Sequence, residues 1–273
     1  YLDEEADHLD GAATLVYHNN SGDNLDEVFF HLYLNAFRPN SRWAQVEERS
    51  RLDFQSLREP EYAYERIGTM RMNGSALTPE YPFAPDSTVV RFALAEPIAS
   101  GDSAVFAFDW EARPSTTCRR QCRRGRSYDF AQWYPRVSVY DHEGWQGHPL
   151  YPQGEFYGEY GVFDVTLDLA SDQVVGATGA VINGDPGWVP SSTSPESAVR
   201  LQSEWYGNRL APNSPGMLSG ETDAGRKRVR FYGEDIHHFA WSTSPDYRYE
   251  AGLHGEIPVH VLYRPGEIGR AHV

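Results

Sequence analysis

The sequence predicts an all-β chain, built as an antiparallel sandwich or one large curved sheet. Three observations point there. Apolar and polar residues alternate over stretches such as "SAVFAFDWEA" and "VFDVTLDL", the period of a half-buried strand. Aromatic residues make up 14% of the chain, with 17 tyrosines and 7 tryptophans, and such side chains suit a pleated, half-buried surface. Clusters such as "NNSGDN", "ASGD" and "NGDPG" recur at short intervals, so the connections read as turns between neighbouring strands rather than as βαβ crossovers.

Taken in order, residues 12–18 and 28–34 are the first candidate strands, on either side of "NNSGDN". "SRWAQVEERSRL" reads as a short helix or turn after Asn40-Ser41. Strands follow at 65–73 and 88–94. "SAVFAFDWEA" then places Ala104, Phe106, Phe108 and Trp110 on one face. In "VFDVTLDL", Phe163, Val165, Leu167 and Leu169 share one face, and Asp164, Thr166 and Asp168 the other. Strands at 174–178, 227–232 and 257–263 complete the set. "EDIHHFAWSTS" reads as a turn, and residues 185–225, rich in Ser, Pro, Gly and Asn, as a long connection with poorly defined structure. No repeat of propeller or solenoid length is present. Within "GEFYGEYG" and its flank, Gly158 and Gly161 mark a bulge or a bend where another backbone approaches.

Composition narrows function by exclusion. The 273 residues suffice for one large β domain or two smaller ones. A net charge of −15 argues against nucleic-acid binding and against docking on anionic membranes. No run approaches the ~20 apolar residues of a membrane span, and no signal peptide is visible. The chain begins at Tyr1 rather than Met, so a missing upstream segment is expected and the compartment stays open. Lys227 is the sole lysine; the bias to arginine, with many Ala, Gly and Asp, suggests a GC-rich bacterial source.

Three local features invite chemistry. "DHEGWQGH" approaches the His-Glu-x-x-His zinc signature, but His142 and His148 are six apart where one helix face needs four, and Gly144, Gly147 and Pro149 oppose a helix. It reads as a near miss. In "TTCRRQCRRGR", Cys118 and Cys122 can close a small disulfide or supply half a metal site; without a second pair, two thiols in a basic loop is the favoured reading. That loop carries six arginines from Arg113 to Arg126, which either bind an acidic surface of the same molecule or a partner, or are simply solvated. His237-His238 point apart on a strand or a helix and are poor co-ligands. No Gly-x-Ser-x-Gly elbow or phosphate-binding loop occurs.

The segments themselves say more. "GAATLVYHNNSGDNLDEVFFHLYLNAFRPNS", "QWYPRVSVYDHEGWQGHPLYPQGEFYGEYGVFDVTLDLASDQVVGATGAV" and "KRVRFYGEDIHHFAWSTSPDYRY" with "IPVHVLYRPGE" resemble, in order, the N-terminal β domain of zinc aminopeptidases of the aminopeptidase N type. The resemblance implies a saddle-shaped sheet over residues 1–265, with 266–273 a linker or non-native tail. Residues 268–273 match what one frame of a sequencing adapter encodes, so the frame is expected to stop short of the catalytic domain. It implies zinc in the full-length protein and none in this fragment, which is inactive by itself. Partners are then the chain's own downstream catalytic domain and a peptide substrate, and a periplasmic or secreted location is favoured. Family members lend a Gln or Glu upstream of the equivalent of Pro135 to the substrate's amine end. Arginines stand there in this chain, leaving Asp129 and Gln132 as the nearest substrate-binding candidates. Trp133, Tyr134 and Trp145 read as aromatic packing between sheet and loop ahead of a substrate-wall role, with Trp133 and Tyr134 the wall candidates. Two rival readings are a stand-alone module binding carbohydrate or protein, with a flat row of exposed aromatics in the carbohydrate case, and a non-catalytic scaffold relative.

Overall fold

The computed structural model describes residues 1–46, 54–189, 224–255 and 257–266. Among these, every regular element is a strand except a 3-10 helix, Tyr33–Phe37, and a one-turn α-helix, Arg42–Val46. The rest of "SRWAQVEERSRL", most of the 185–225 connection and the 268–273 tail lie outside the described residues. Two compact units result. The first holds Asp3–Arg124 and Asp129–Tyr160; the second holds Gly125–Tyr128 and the chain from Gly161 onward.

Six strands frame the first unit: β1 (His8–His18), β2 (Leu25–His31), β3 (Tyr64–Met72), β4 (Val89–Ile98), β5 (Ser103–Arg113) and β6 (Arg136–Val137). β5 pairs antiparallel with β1 on one side and β3 on the other. β2 pairs antiparallel with β4 and β6 in a second sheet. The alternation in "SAVFAFDWEA" is realised: Ala104, Phe106, Phe108 and Trp110 are buried and the residues between them exposed. Phe30 of β2 meets Phe106 and Phe108 of β5 edge-on, with centroids 5.8 Å apart in both cases. The two sheets therefore pack face to face as a sandwich, and each phenylalanine sealed inside stabilises it by roughly 1.5–3 kcal/mol.

Two irregularities shape this unit. The β3–β5 register shifts between Ile67 and Met70. Asp109 fills the gap, accepting the Thr69 amide at 3.2 Å and the Thr69 hydroxyl, and a Cβ on Gly68 would stand 2.0 Å from its Oδ1. On the other flank Gly11 lies opposite Trp110, whose indole covers the space a side chain would need.

The second unit contains β7 (Gly161–Ala170), β8 (Val174–Ala177), β9 (Ala180–Asn183), β10 (Arg226–Ile236), β11 (Trp241–Ser244), β12 (Arg248–His254) and β13 (Ile257–Tyr263). β10 runs between β7 and β9, β8 pairs with β11, and β12 with β13 forms a hairpin. Leu167 and Leu169 are buried, as their alternation requires. The acidic face of β7 is matched by β10: Asp168 accepts from Arg226 at 2.6 Å and Arg228 at 2.9 Å, and Asp164 from Arg230 at 2.6 Å.

Four sequence expectations are corrected. The strand expected over 28–34 ends at His31, because "YLNAF" coils into a 3-10 helix with all five residues buried. Asn35 fixes that turn: its amide donates to the carbonyls of Glu65 (2.8 Å) and Ser87 (2.9 Å) and accepts the Glu65 N–H (2.9 Å). The turn expected in "EDIHHFAWSTS" is two strand ends, β10 running to Ile236 and β11 starting at Trp241, with His237 and His238 half-buried between them. β9 and β12 were not expected at all. At Gly158 the close neighbour is the Arg136 side chain rather than a backbone, while the β7 register does shift between Gly161 and Phe163.

Candidate functional site

Asp129, Gln132, Trp133 and Tyr134 fall on one short path, from the strand Ser127–Phe130 to β6. Gln132 makes the bend, with φ at 55° and its side chain buried. Trp133 is also buried. Its carbonyl accepts the Trp110 indole N–H at 2.9 Å, and its ring meets Trp110 at 5.8 Å and Phe130 at 6.4 Å. Trp133 is thus a packing residue that locks the path to β5. Tyr134 stands edge-on to it at 5.4 Å and remains half-buried. Asp129 is half-buried too, a carboxylate oxygen lying 3.5 Å from the Cys122 sulfur.

Beside this path lies a polar centre that the sequence did not reveal. His31, at the end of β2, stacks on Tyr33 with centroids 4.6 Å apart. Its Nε2 is 3.1 Å from the His148 carbonyl and its Nδ1 is 2.9 Å from the Ser138 hydroxyl. A carbonyl only accepts, so Nε2 carries the proton and Nδ1 accepts from Ser138. Burial pushes the His31 pKa down to about 4, so the ring is neutral at pH 7. Glu65 is 1% exposed; burial raises its carboxyl well above the usual range, against the Leu34 amide that donates to Oε2 at 3.4 Å. Its Oε1 has no hydrogen-bond partner among the described residues. Arg136 is buried as well and donates to the Glu159 carbonyl at 2.9 Å. Tyr33 completes the centre, edge-on to Phe156 at 4.8 Å, with its hydroxyl 3.5 Å from the Tyr157 carbonyl.

The cysteine loop differs from the favoured reading: Cys118 and Cys122 form a disulfide. Four of the six arginines around it pair with the molecule's own acids. Arg123 reaches Asp7 at 3.3 Å and the Pro60 carbonyl at 2.6 Å, Arg120 reaches Glu155 at 3.3 Å, and Arg113 reaches Glu59 at 3.4 Å. In the second unit Arg126 makes a two-pronged bond to Asp172, both arms 2.7 Å.

As chemistry, the polar centre holds rather than reacts. Both nitrogens of His31 are engaged, and the Ser138 hydroxyl that faces its Nδ1 is itself buried. His142 projects from the turn between strands Tyr140–Asp141 and Gly144–Trp145 with 87% of its side chain exposed, while the Nδ1 of His148 lies 3.1 Å from the Pro149 carbonyl. Among the described residues no three His, Cys, Asp or Glu side chains are grouped to hold a metal ion. Nor do the described tryptophans form a flat exposed row: Trp43, Trp110, Trp133 and Trp241 are buried. No described helix is long and apolar enough to cross a membrane.

No family model matches this chain, and no curated protein matches it. Among solved structures it is similar to a two-domain M1 zinc metallopeptidase, a mutant bound to L-arginine, at 11% identity and a TM-score of 0.48. It is also similar to the M1 zinc metallopeptidase of Deinococcus radiodurans, at 12% identity and a TM-score of 0.47. Each match covers 95% of this chain and 44% of the other, so the chain spans less than half the length of these proteins.

Proposed function

We propose that this chain is the N-terminal β domain of a zinc-dependent, aminopeptidase-like metallopeptidase, non-catalytic by itself, capping the cleft of a downstream His-Glu-x-x-His domain. One observation supports this above others. "HLYLNAF", "QWYPR" and "GEFYGEYG", three of the stretches that carry the sequence resemblance, meet at one place. Tyr33 lies against Phe156 and the Tyr157 carbonyl, and Arg136 holds the Glu159 carbonyl. Segments that resemble one family in order, and that also pack on one another, form a structural unit rather than scattered matches.

The described residues do not fit a zinc ion, and in this reading the metal and its ligands belong to the further domain. There, zinc would acidify a bound water and polarise the scissile carbonyl. This chain's contribution is to wall the cleft and exclude water. Asp129, a half-buried carboxyl group, suits a substrate's ammonium end better than Gln132, which is buried. Tyr134 is the better wall residue, since Trp133 is enclosed in packing. The partners are the chain's own catalytic domain and a peptide, and a periplasmic or secreted compartment is favoured by the resemblance to the family's bacterial branch, where export is common.

Sequencing the source DNA past the codon for Glu267 tests the reading. A continuing frame with His-Glu-x-x-His and a later Glu ligand supports it. A native stop, or a continuation without those ligands, leaves a non-catalytic scaffold. On the purified chain, stoichiometric zinc with turnover of an aminoacyl reporter would sink it.

A further inference from the structure

A second surface of the first unit shares only Tyr157 and Glu159 with the contacts behind that reading. Trp145 lies in the short hairpin that follows β6, and its ring meets Tyr140 at 5.2 Å, Tyr17 at 6.1 Å and Phe29 at 6.1 Å. All four rings remain partly exposed. Carboxylates border them. Asp23 accepts the Tyr140 hydroxyl at 2.9 Å, and Asp141 accepts the hydroxyl of Tyr157 at 3.3 Å. Tyr157 is itself 52% exposed. Burial first, then the charge of Glu159, pushes the Tyr17 hydroxyl up to about 12, which places Glu159 beside the same cluster. Among the described residues no arginine or lysine forms an ion pair with the carboxylates of Asp23, Asp141 or Glu159, although Arg136 donates to the Glu159 main-chain carbonyl; the His142 ring lies 3.9 Å from Asp141.

The combination favours one chemistry. A π face attracts a cation, and carboxylates at its rim add to that attraction. A guanidinium can stack flat on a ring while its in-plane N–H fork reaches carboxylates, whereas an ammonium is a compact, more strongly hydrated point charge with no flat face to stack. A sugar wants one flat platform, but the Trp145 plane is inclined by 33°, 46° and 75° to its three neighbours. We propose that Tyr17, Tyr140, Trp145 and Tyr157, with Asp23, Asp141 and Glu159, form a docking surface for an arginine-bearing basic peptide segment of a partner protein. The net charge of −15 steers such a partner toward the molecule, and the aromatic cluster fixes where it lands.

Anisotropy of labelled hexa-arginine, hexalysine and hexaglutamate, titrated with the purified chain at low and physiological salt, tests this. Hexa-arginine is expected to bind about ten-fold tighter than hexalysine, and hexaglutamate not to bind. Trp145→Ala should weaken hexa-arginine by about ten-fold, and Trp145→Phe, which keeps a ring, by only about three-fold. Combining Asp23→Asn, Asp141→Asn and Glu159→Gln should also cost about ten-fold at low salt. Glu111→Gln, an exposed carboxylate toward the other end of β5 from Tyr17's partner Ala104, should change nothing. Equal binding of the arginine and lysine peptides, indifferent to Trp145→Ala, would show attraction by net charge alone and overturn the proposal. So would a Trp145→Phe variant with the wild-type circular dichroism spectrum that binds as weakly as Trp145→Ala. Salt-independent binding of a neutral oligosaccharide lost in Trp145→Ala would reassign the surface to sugars.

Discussion

Arg136 lies directly beneath Gly158. A Cβ added at Gly158 would stand 2.1 Å from the guanidinium nitrogen that donates to the neighbouring Glu159 carbonyl. The glycine is needed there because a buried side chain occupies the space, not because the backbone is left-handed. Gly158→Ala must displace Arg136 and is expected to cost about 1–3 kcal/mol. Urea unfolding should show a lower midpoint with an unchanged slope. Gly22→Ala, which meets nothing within 4 Å, should leave the midpoint where it is.

His31 gives the fold an acid limit. Its folded pKa, depressed to about 4 from 6.5, means that the stability it confers is full above pH 6.5 and is lost as pH falls through about 4. At about 1.4 kcal/mol per unit, the loss over that window is about 3 kcal/mol. Carbon-bound ring protons followed by NMR should show His31 failing to titrate between pH 8 and 5.

Glu65 acts with the opposite sign. Burial raises its folded pKa above 4.5, so its contribution is full below that value and declines as pH rises. Between pH 4.5 and 6.5 the two slopes oppose and mask one another. Glu65→Gln keeps the shape and removes the titration, so the variant should show the full acid loss due to His31. At pH 8 it should be more stable than wild type. Equal stability of the two proteins at pH 8 would mean that Glu65 has found a compensating charge.

The disulfide makes a separate prediction. Cys118 and Cys122 are four residues apart, and closing so small a loop stabilises by about 2 kcal/mol in the chain-entropy account. The native chain should take up no alkylating reagent without reductant and two equivalents after reduction and unfolding. Paired Cys118→Ser and Cys122→Ser changes should lower stability by about that amount.

Local periodicity made much of this fold legible. β5 and β7 follow from alternation alone, since each turns one face toward its core, whereas β13 alternates but leaves Ile257, Val259 and Val261 exposed. Tyr33–Phe37 could not be read that way. All five residues are buried, which erases any period, and the bonds that hold the turn come from Asn35 to residues about 30 and 52 positions away. β11 and β12, "WSTS" and "RYEAGLH", are too polar to signal a strand and owe their form to their partners. At the site, Asp129 to Tyr134 were visible as one motif. Glu65 and Arg136 were not, because a buried charge reads like an exposed one in sequence. A faint signal was present in the arginine-rich loop of an acidic chain, whose pairings with Asp7 and Asp172 are internal.

Asp129 and Gln132 make opposite predictions in a protein that carries the downstream domain. Gln132 is 6% exposed and sits at a left-handed bend, so Gln132→Ala should disturb the path and lower stability, with any kinetic loss following from that. Asp129 keeps partial exposure, and Asp129→Asn is nearly isosteric, so the fold should survive. If its carboxylate meets the substrate's ammonium group, the charge-assisted bond it forfeits raises KM by about ten-fold and leaves kcat within about two-fold. A substrate whose amine is blocked should lose that discrimination. An Asp129→Asn enzyme with unchanged KM for free-amine substrates would move the recognition to the catalytic domain and leave Asp129 as the neighbour of the disulfide.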